Sequence, residues 1–445
     1  MNNLSKKDLL LIGLMLFSLF FGAGNLIFPP FLGQAAGGNT WIAMGGFFVT
    51  AVGFPILGVI SVSKSGGLHE LSKKVNRTFA MVFTVLIYLS IGPCLGIPRA
   101  GSLPFEMAVA PFLPKGFVSN TLALFLYTLL FFTVAYWLCL TPSKLVNRMG
   151  KVLTPTLLTL IAGIFLASLL KPLGGYGEVT AEYSSSPLVK GFLDGYLTMD
   201  TIAALNFGIV ISLAIKAKGV KGKKAIVSNS IKAGFIAGTL LVVIYSMLAH
   251  LGATSGGRFG QTENGAQTLA NIMLYIFGRP GVILLAVTFT LACLTTCVGL
   301  ITSCSQYFTT IMPKVKYITF VRGLTLSSML LANMGLTKIL AISVPVLNAI
   351  YPIAIVLILL SMVETFFHEN SIVYISTIAF TGVVSILHAL SGAGVKLGFI
   401  EQLLSNLPLY SQGLGWVTPS AIGFLLGIVL KLVKDNAHSK AVEAN

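Results

Sequence analysis

The chain has 445 residues, of which 55% are hydrophobic and only 9% are charged. Soluble globular proteins carry about 25% charged residues, so this composition excludes an ordinary soluble protein, and its high hydrophobicity also excludes a disordered chain. Lysine and arginine outnumber aspartate and glutamate 29 to 13, which gives a net charge of +16. In a helical membrane protein such an excess collects in cytoplasmic loops, so it indicates topology and implies no nucleic-acid partner.

Apolar runs predict twelve membrane-spanning helices, because about 20 apolar residues are needed to cross a bilayer. The spans are predicted at residues 9–31, 41–63, 78–98, 119–140, 152–170, 191–215, 233–251, 281–311, 317–334, 339–361, 371–390 and 415–432. The first run is too long for a signal-peptide core and no small-residue cleavage site ends it. If both termini lie on one side, that side holds 21 lysines and arginines and the other holds 8. The positive-inside rule therefore predicts cytoplasmic termini.

Span 1 is interrupted near its middle. Gly22, Gly24 and Asn25 stand at bilayer mid-depth and are followed by Pro29 and Pro30. Such residues are poor helix formers, and a break in the bilayer is tolerated only where protein or a ligand satisfies the backbone. The bland alternative is that the two glycines merely let helices pack closely.

Span 6 carries a second interruption, five spans further along the chain. It reads from Gly195 through Thr198 and Asp200 to Asn206. An odd number of spans per repeat makes the second copy enter the membrane from the opposite face. Interrupted helices at matching positions of two inverted halves are the sequence signature of a secondary transporter's central site.

Asp200 is the only acidic residue near the middle of a predicted span. Placing a carboxylate there costs at least about 2.5 kcal/mol, so it is expected to face the interior or a cavity. It could bind a substrate ammonium, bind a cation, carry a proton, or simply hold the broken backbone in shape. By contrast, the ionisable residues nearer the span ends are interpreted as snorkelling or loop residues; they are Arg99, Glu106, Asp194, His250 and His388.

Span 8 places three oxygen donors on one helix face. They are the carbonyl of Ala292 and the hydroxyls of Thr295 and Thr296, spaced i, i+3 and i+4. Neutral oxygen ligands suit a small hard cation such as Na⁺. The alternative is that the threonines bond to carbonyls of their own helix.

No catalytic or nucleotide-binding motif occurs, so neither an enzyme nor an organic cofactor is expected. The five cysteines lie in apolar runs without metal-ligand spacing. The amphipathic stretch from Thr262 to Phe277 predicts an outer helix, either a lid or an interfacial helix.

Two stretches resemble the bacterial branched-chain amino acid transport system II carriers. They run from Gly13 to Pro30 and from Gly195 to Gly208. Chain length and span number agree, so the resemblance covers the whole chain. It implies a symporter in the bacterial inner membrane that imports leucine, isoleucine and valine with a cation, and it implies no obligatory protein partner.

More distantly, the chain resembles sodium-coupled transporters of the leucine-transporter fold, in which central helices are broken inside the membrane. The resemblance implies an all-α integral membrane protein of about 12 transmembrane helices. Residues 1–445 would form one domain: a repeat of spans 1–5 over about 9–170, an inverted repeat of spans 6–10 over about 191–361, and two extra helices over about 371–432.

The same resemblance implies residue roles. The substrate site would use Ala23, Gly24, Asn25, Leu197, Thr198 and Asp200. A second sodium site would use Ser18, Phe21, Ala292, Thr295 and Thr296, and a first sodium site would use Phe20, Asn25 and Thr198.

The match has departures that bear on the first sodium site and the gates. The segment between Asn25 and Pro29 is one residue shorter than in that fold, and an outer-gate cation is missing. Asp200 stands near where that fold has a small hydroxyl. Sodium symport is therefore the expected function. A proton-coupled carrier using Asp200, a channel and a membrane enzyme are the alternatives.

Overall fold

The computed structural model describes residues 4–110, 120–141, 145–368 and 370–443. Within these residues every regular element is helical, as the composition predicts. The helices of the first half of the chain are α1 (Lys6–Phe20), α2 (Ala23–Ala36), α3 (Thr40–Phe48), α4 (Phe54–Ser65), α5 (Leu68–Lys73), α6 (Arg77–Leu89), α7 (Gly96–Ala108), α8 (Asn120–Cys139), α9 (Leu145–Arg148), α10 (Thr154–Leu170) and α11 (Ala181–Ser184).

The remaining helices carry the second broken span and the C-terminal spans. They are α12 (Pro187–Tyr196), α13 (Asp200–Ala217), α14 (Lys223–Phe259), α15 (Gly265–Phe277), α16 (Arg279–Ile311), α17 (Tyr317–Ala332), α18 (Leu336–Val363), α19 (Ser371–Gly392), α20 (Phe399–Ser405) and α21 (Val417–Glu443).

In the described part of the chain, ten helical segments are long and apolar enough to cross a membrane. The difference from the twelve predicted spans has two sources. The first span is split, and its second half runs on into the next span as one segment, Gly24–Ser65. The ninth span, α17, is an apolar helix of only 16 residues.

Span 3 differs from its predicted bounds of 78–98. A single π-helical turn, Ser90–Cys94, kinks it where Gly92 has a non-helical ψ of −120°. Pro93 adds to the kink, because proline cannot donate a backbone hydrogen bond. The apolar segment then continues to Glu106. Residues just after 98 therefore lie inside the span rather than in a loop.

The break in span 1 falls between α1 and α2, at Phe21 and Gly22. Pro29 and Pro30 do not end the helix but lie inside α2. Each proline lacks an N–H, so the carbonyls of Asn25 and Leu26 lose their usual helical donors. The sequence prediction of an interruption is confirmed, and its position is set by the glycine rather than by the prolines.

The chain forms two compact units. The first contains residues 1–64 and 88–340, with α14 packed along α2 and α12 along α3. The second contains residues 65–87 and 341–445, where α19 packs against α21 and the buried carboxylate of Glu364 pairs with Lys74. The predicted division into repeats over 9–170 and 191–361 stays a prediction.

Close approach of α2 and α14 depends on glycine. A methyl group on Gly252 would lie 1.9 Å from the carbonyl oxygen of Pro30, and one on Gly33 would lie 2.0 Å from that of Ala249. Small residues let membrane helices approach to this distance, where dispersion forces are strong. The second half of span 1 is thereby fixed against α14.

We expect Gly252→Ala to lower the thermal unfolding temperature of the detergent-solubilised protein. The added methyl must push α14 away from α2, and overpacking of this kind costs about 1–3 kcal/mol or more. Gly323→Ala is the matched control, because a methyl there meets nothing within 4 Å and alanine favours the helix. Equal unfolding temperatures for the two variants would contradict the close packing.

Candidate functional site

The two broken spans meet at one cavity. It encloses about 440 Å³ of space, including its opening. It is lined by Leu19, Phe20, Gly22, Gly24, Asn25, Ile91, Gly96, Arg99, Ala100, Thr198, Met199, Asp200, Ala203, Thr296 and Leu300. Six residues predicted from the sequence are in this set: Phe20, Gly24, Asn25, Thr198, Asp200 and Thr296. The predicted residues Ser18, Phe21, Leu197, Ala292 and Thr295 are not part of the lining, and the side chain of the predicted Ala23 lies outside the described part of the structure.

A hydrogen-bonded cluster joins the two breaks. The side-chain amide of Asn25 donates to Oδ2 of Asp200 over 2.5 Å and also to the hydroxyl of Tyr245. The Tyr245 hydroxyl in turn donates to the same carboxylate oxygen over 3.2 Å. Asn25 and Asp200 are 1% and 2% exposed, so these bonds are shielded from water. Since α14 supplies Tyr245, the cluster connects three helices.

Asn25 also closes the break in its own span. Its Oδ1 accepts the backbone N–H of Gly22 over 2.9 Å, which satisfies a donor that the interrupted helix leaves open. The Phe21 N–H bonds back to the carbonyl of Phe17 at the end of α1. Beyond these bonds, α2 begins at Ala23, and Gly24 in its first turn lines the cavity.

The break in span 6 has a different local structure. Met199 adopts a left-handed backbone with φ of 67°, uncommon for a residue with a side chain. The Thr198 hydroxyl donates to the carbonyl of Gly195 over 2.9 Å and accepts from the backbone N–H of Asp200 over 3.4 Å. Strain of this kind persists only where surrounding structure supports it, and it is concentrated at functional sites.

The span 8 threonines lie beside the first break. A methyl group on Gly22 would be 2.9 Å from the Thr296 hydroxyl, so this oxygen faces the interrupted backbone directly. Within the described residues the buried Thr296 hydroxyl oxygen has no hydrogen-bond partner. Thr295 donates to the carbonyl of Ala292 over 2.9 Å, which leaves its oxygen lone pairs available. Ser18 likewise donates within its helix, to the carbonyl of Met15 over 3.0 Å.

Arg99 corrects one interpretation made from the sequence. It was expected to snorkel or lie in a loop, but it is only 6% exposed and lines the cavity. Its Nη1 donates to the carbonyl of Leu197 over 3.2 Å. The residue was missed because the kinked third span continues past its predicted end at 98. The same expectation is wrong for Asp194, which is buried in α12 and bonded to Tyr183 and Lys190.

The helix predicted over Thr262 to Phe277 is present as α15, at Gly265–Phe277, and its placement on the outer side stays a prediction. Its Ala266, Leu269, Ile272 and Met273 are buried, and it packs against α2 and α16. Just before it, Thr262 donates its backbone N–H to the Gln34 side chain of α2 over 3.0 Å. These contacts attach α15 to the second half of the broken span.

An ion pair connects the other ends of the two broken spans. Lys218, just after α13, lies 2.7 Å from Asp8 of α1. Hydrogen bonds from Lys218 and Ser5 hold the pKa of the Asp8 carboxyl below its usual value of 3.8. Because the pKa is lowered, the contact is complete at neutral pH and is lost only as the pH falls through that lowered value. Both groups are partly exposed, so the pair contributes little on its own.

Comparison with known proteins agrees with this architecture. Residues 5–434 match the family described as branched-chain amino acid transport protein. The branched-chain amino acid permease BraB of Bacillus subtilis (strain 168) is 48% identical over 433 residues, which is 97% of each chain. The branched-chain amino acid transport system 2 carrier protein of Pseudomonas aeruginosa is 43% identical over 430 residues, covering 96% of this chain and 97% of that protein.

A solved structure shares the fold at low sequence identity. Mhp1, a nucleobase-cation-symport-1 family transporter in a closed conformation with bromovinylhydantoin bound, matches with a TM-score of 0.59 at 13% identity. The match covers 94% of this chain and 91% of Mhp1. It confirms the predicted transporter fold with interrupted helices. The family match over nearly the whole sequence, with a relative 48% identical, shows that the chain belongs to the branched-chain amino acid transport protein family.

Proposed function

We propose that this protein is a secondary active symporter that imports leucine, isoleucine and valine together with Na⁺ by alternating access. The family supports the branched-chain amino acid as substrate. The single observation that carries sodium coupling is the Thr296 hydroxyl, which is buried, lacks a partner among the described residues and faces the broken backbone at Gly22.

The substrate's two charged groups suit the two breaks. The first-turn N–H groups of α2, at Ala23 and Gly24, form a helix N-terminus that attracts a carboxylate. Asp200, which lines the cavity with Thr198, supplies a carboxylate for the ammonium, and the backbone carbonyls of Leu197 and Thr198 are its further proposed partners. Both hydrogen bonds to Asp200 from Asn25 and Tyr245 end on Oδ2. In this proposal Oδ1 receives the ammonium.

Sodium would be held by neutral oxygens between the first break and α16. The hydroxyls of Thr295 and Thr296, the carbonyl of Ala292 and the free carbonyls at the end of α1, including those of Ser18 and Phe21, make up the proposed ligand set. Oxygen donors of this type match the preference of a small hard cation. A first sodium site at Phe20, Asn25 and Thr198 is also proposed; the Asn25 oxygen already accepts from Gly22 and has one lone pair left.

Coupling follows from the shared backbone. Na⁺ fixes the break in span 1, and the same break presents the N–H groups that bind the substrate, so each ligand raises the affinity for the other. A membrane potential of 100 mV supplies about 2.3 kcal/mol per cation. A tenfold Na⁺ gradient adds about 1.4 kcal/mol. Together the two contributions support roughly 500-fold accumulation of the amino acid per coupled ion.

The lysine and arginine distribution supports cytoplasmic termini in the bacterial inner membrane. In that orientation the Asp8–Lys218 ion pair lies on the cytoplasmic side and α15 on the outer side. In the proposed orientation, import begins from the outer side, on which α15 lies.

The first test is radiolabelled leucine uptake into proteoliposomes at constant pH. We expect uptake with an inward Na⁺ gradient, little uptake with an equal K⁺ gradient, and competition by isoleucine and valine. Leucine uptake that does not depend on Na⁺ would contradict the assignment of Na⁺ as the coupling ion. Absence of leucine uptake by well-reconstituted protein would contradict the assignment of the substrate.

Thr296→Val replaces the hydroxyl with a methyl group of similar size. We expect the Na⁺ concentration for half-maximal uptake to rise about tenfold, since one cation ligand is lost. Thr295→Val should act in the same direction. Thr288→Val is the matched control on the same helix, because that buried hydroxyl bonds to the carbonyl of Leu284. If neither the Thr296 variant nor the Thr295 variant alters the Na⁺ dependence, the sodium site on α16 is wrong.

A proton-coupled symporter is the second candidate, favoured by the buried carboxylate of Asp200 in the cavity wall. Under sodium coupling, Asp200→Asn should raise the leucine concentration for half-maximal uptake about 10- to 100-fold while uptake still requires Na⁺. Under proton coupling, wild-type uptake should follow a pH gradient and Asp200→Asn should abolish that response. Glu263→Gln, at an exposed position, controls for loss of a negative charge.

A further inference from the structure

We propose that Arg99 is a substrate-binding residue that holds the carboxylate of the amino acid together with the N-terminus of α2. This inference rests on the proposed function, because it concerns the same cavity. It adds a charged side chain from span 3 to a site that the sequence assigned to spans 1, 6 and 8.

Arg99 lies directly against the start of α2. A methyl group on Gly24 would be 3.3 Å from Nη2 of Arg99, 3.3 Å from the ring of Phe28 and 3.4 Å from the Cα of Thr198. The guanidinium therefore lies beside Gly24, in the first turn of α2. Glycine at position 24 keeps this space free of a side chain.

Most of the guanidinium's donors face the cavity without a protein partner. Within the described residues its polar contacts are one hydrogen bond, from Nη1 to the carbonyl of Leu197, and a position 5.5 Å from the ring centroid of Phe28. An arginine has five N–H donors in a planar fork. A charge that is 94% buried with open donors is costly unless a partner arrives. A carboxylate is the partner whose geometry matches the fork, because it accepts two parallel bonds.

A purely structural role explains less of this arrangement. Bonding the Leu197 carbonyl at the break of span 6 requires a single donor, which a neutral side chain could provide. It does not require a full positive charge in the cavity wall. Arg99 and Asp200 attract each other electrostatically, but among the described residues they form no ion pair, and the hydrogen bonds to that carboxylate come from Asn25 and Tyr245.

Charge balance identifies the ligand as a zwitterion. Among the described residues, the cavity lining contains one cationic side chain, Arg99, and one acidic side chain, Asp200. A ligand with one carboxylate and one ammonium pairs each of them and leaves no buried charge without a partner. An amine lacking the carboxylate, or an amide in its place, leaves the guanidinium unpaired.

The test compares leucine with leucinamide, which replaces the carboxylate by a neutral amide. Binding of both is measured calorimetrically to purified full-length protein in Na⁺, for the wild type, Arg99→Gln, Arg99→Lys and the control Arg279→Gln. Arg279 is exposed, so its variant removes the same charge away from the cavity. Thermal unfolding of each variant checks that it is folded.

We expect wild type and Arg279→Gln to bind leucine much more tightly than leucinamide. Arg99→Gln should weaken leucine binding about 10- to 100-fold while changing leucinamide binding less than about threefold, and Arg99→Lys should fall between, because lysine keeps the charge without the fork. Sodium should still be required in each variant.

The outcomes separate this inference from the function on which it rests. Wild-type protein that binds no leucine overturns the proposed function and this inference with it. Leucine binding by the wild type combined with equal losses for leucine and leucinamide in Arg99→Gln shows a structural role and overturns the inference alone. If Arg99→Gln does not fold, Arg99→Lys decides: unchanged discrimination between the two ligands overturns the inference, and reduced discrimination supports it.

Discussion

A helix interrupted inside a bilayer must find partners for its exposed N–H and C=O groups within the protein, since lipid offers none. In this protein the side chain of Asn25 meets that demand for span 1, by accepting from Gly22, and reaches across to Asp200 at the break in span 6. The two breaks are thus held by one side chain. The cavity, the proposed ion ligands and the proposed substrate contacts all lie where that interaction brings the breaks together.

The same interaction explains how two ligands could be coupled without touching. The backbone at Gly22 faces the hydroxyl of Thr296 on one side, and the N-terminus of α2 faces Arg99 on the other. A ligand that fixes the backbone at Gly22 therefore also changes the position of the N-terminus of α2 beside Arg99. Close packing of α2 on α14, with Gly252 against Pro30, keeps the second half of the span rigid while its start is open. The N-terminus of a half-helix such as α2 is where broken-helix transporters bind anionic substrate groups.

Much of the fold and half of the site could be predicted from local sequence. Gly22 and Gly24 indicated the first break, because glycine is a poor helix former. Asp200 indicated the second, because a carboxylate inside a membrane-spanning helix has a high free energy unless it faces the protein interior or a cavity. The third span was predicted too short, since its apolar run was ended at residue 98, before the charged Arg99, whereas the helix continues beyond the kink at Gly92 to Glu106. That error placed Arg99 in a loop. Likewise, the sequence contained Tyr245 without any signal that it would meet Asn25, because most residues around it in span 7 are apolar and none marks a break.

Composition, hydropathy and charge placement by themselves determined that this is a polytopic helical membrane protein with two interrupted spans, and the resemblance of its motifs determined the family. These properties are local, since each depends on residues within one span or one loop. Only the tertiary structure decided which side chains from different spans share a cavity: Asn25 with Asp200 and Tyr245, Thr296 with Gly22, and Arg99 with Gly24. Those pairs are separated by tens to hundreds of residues, and no periodic pattern within a helix encodes which distant helix its polar face will meet.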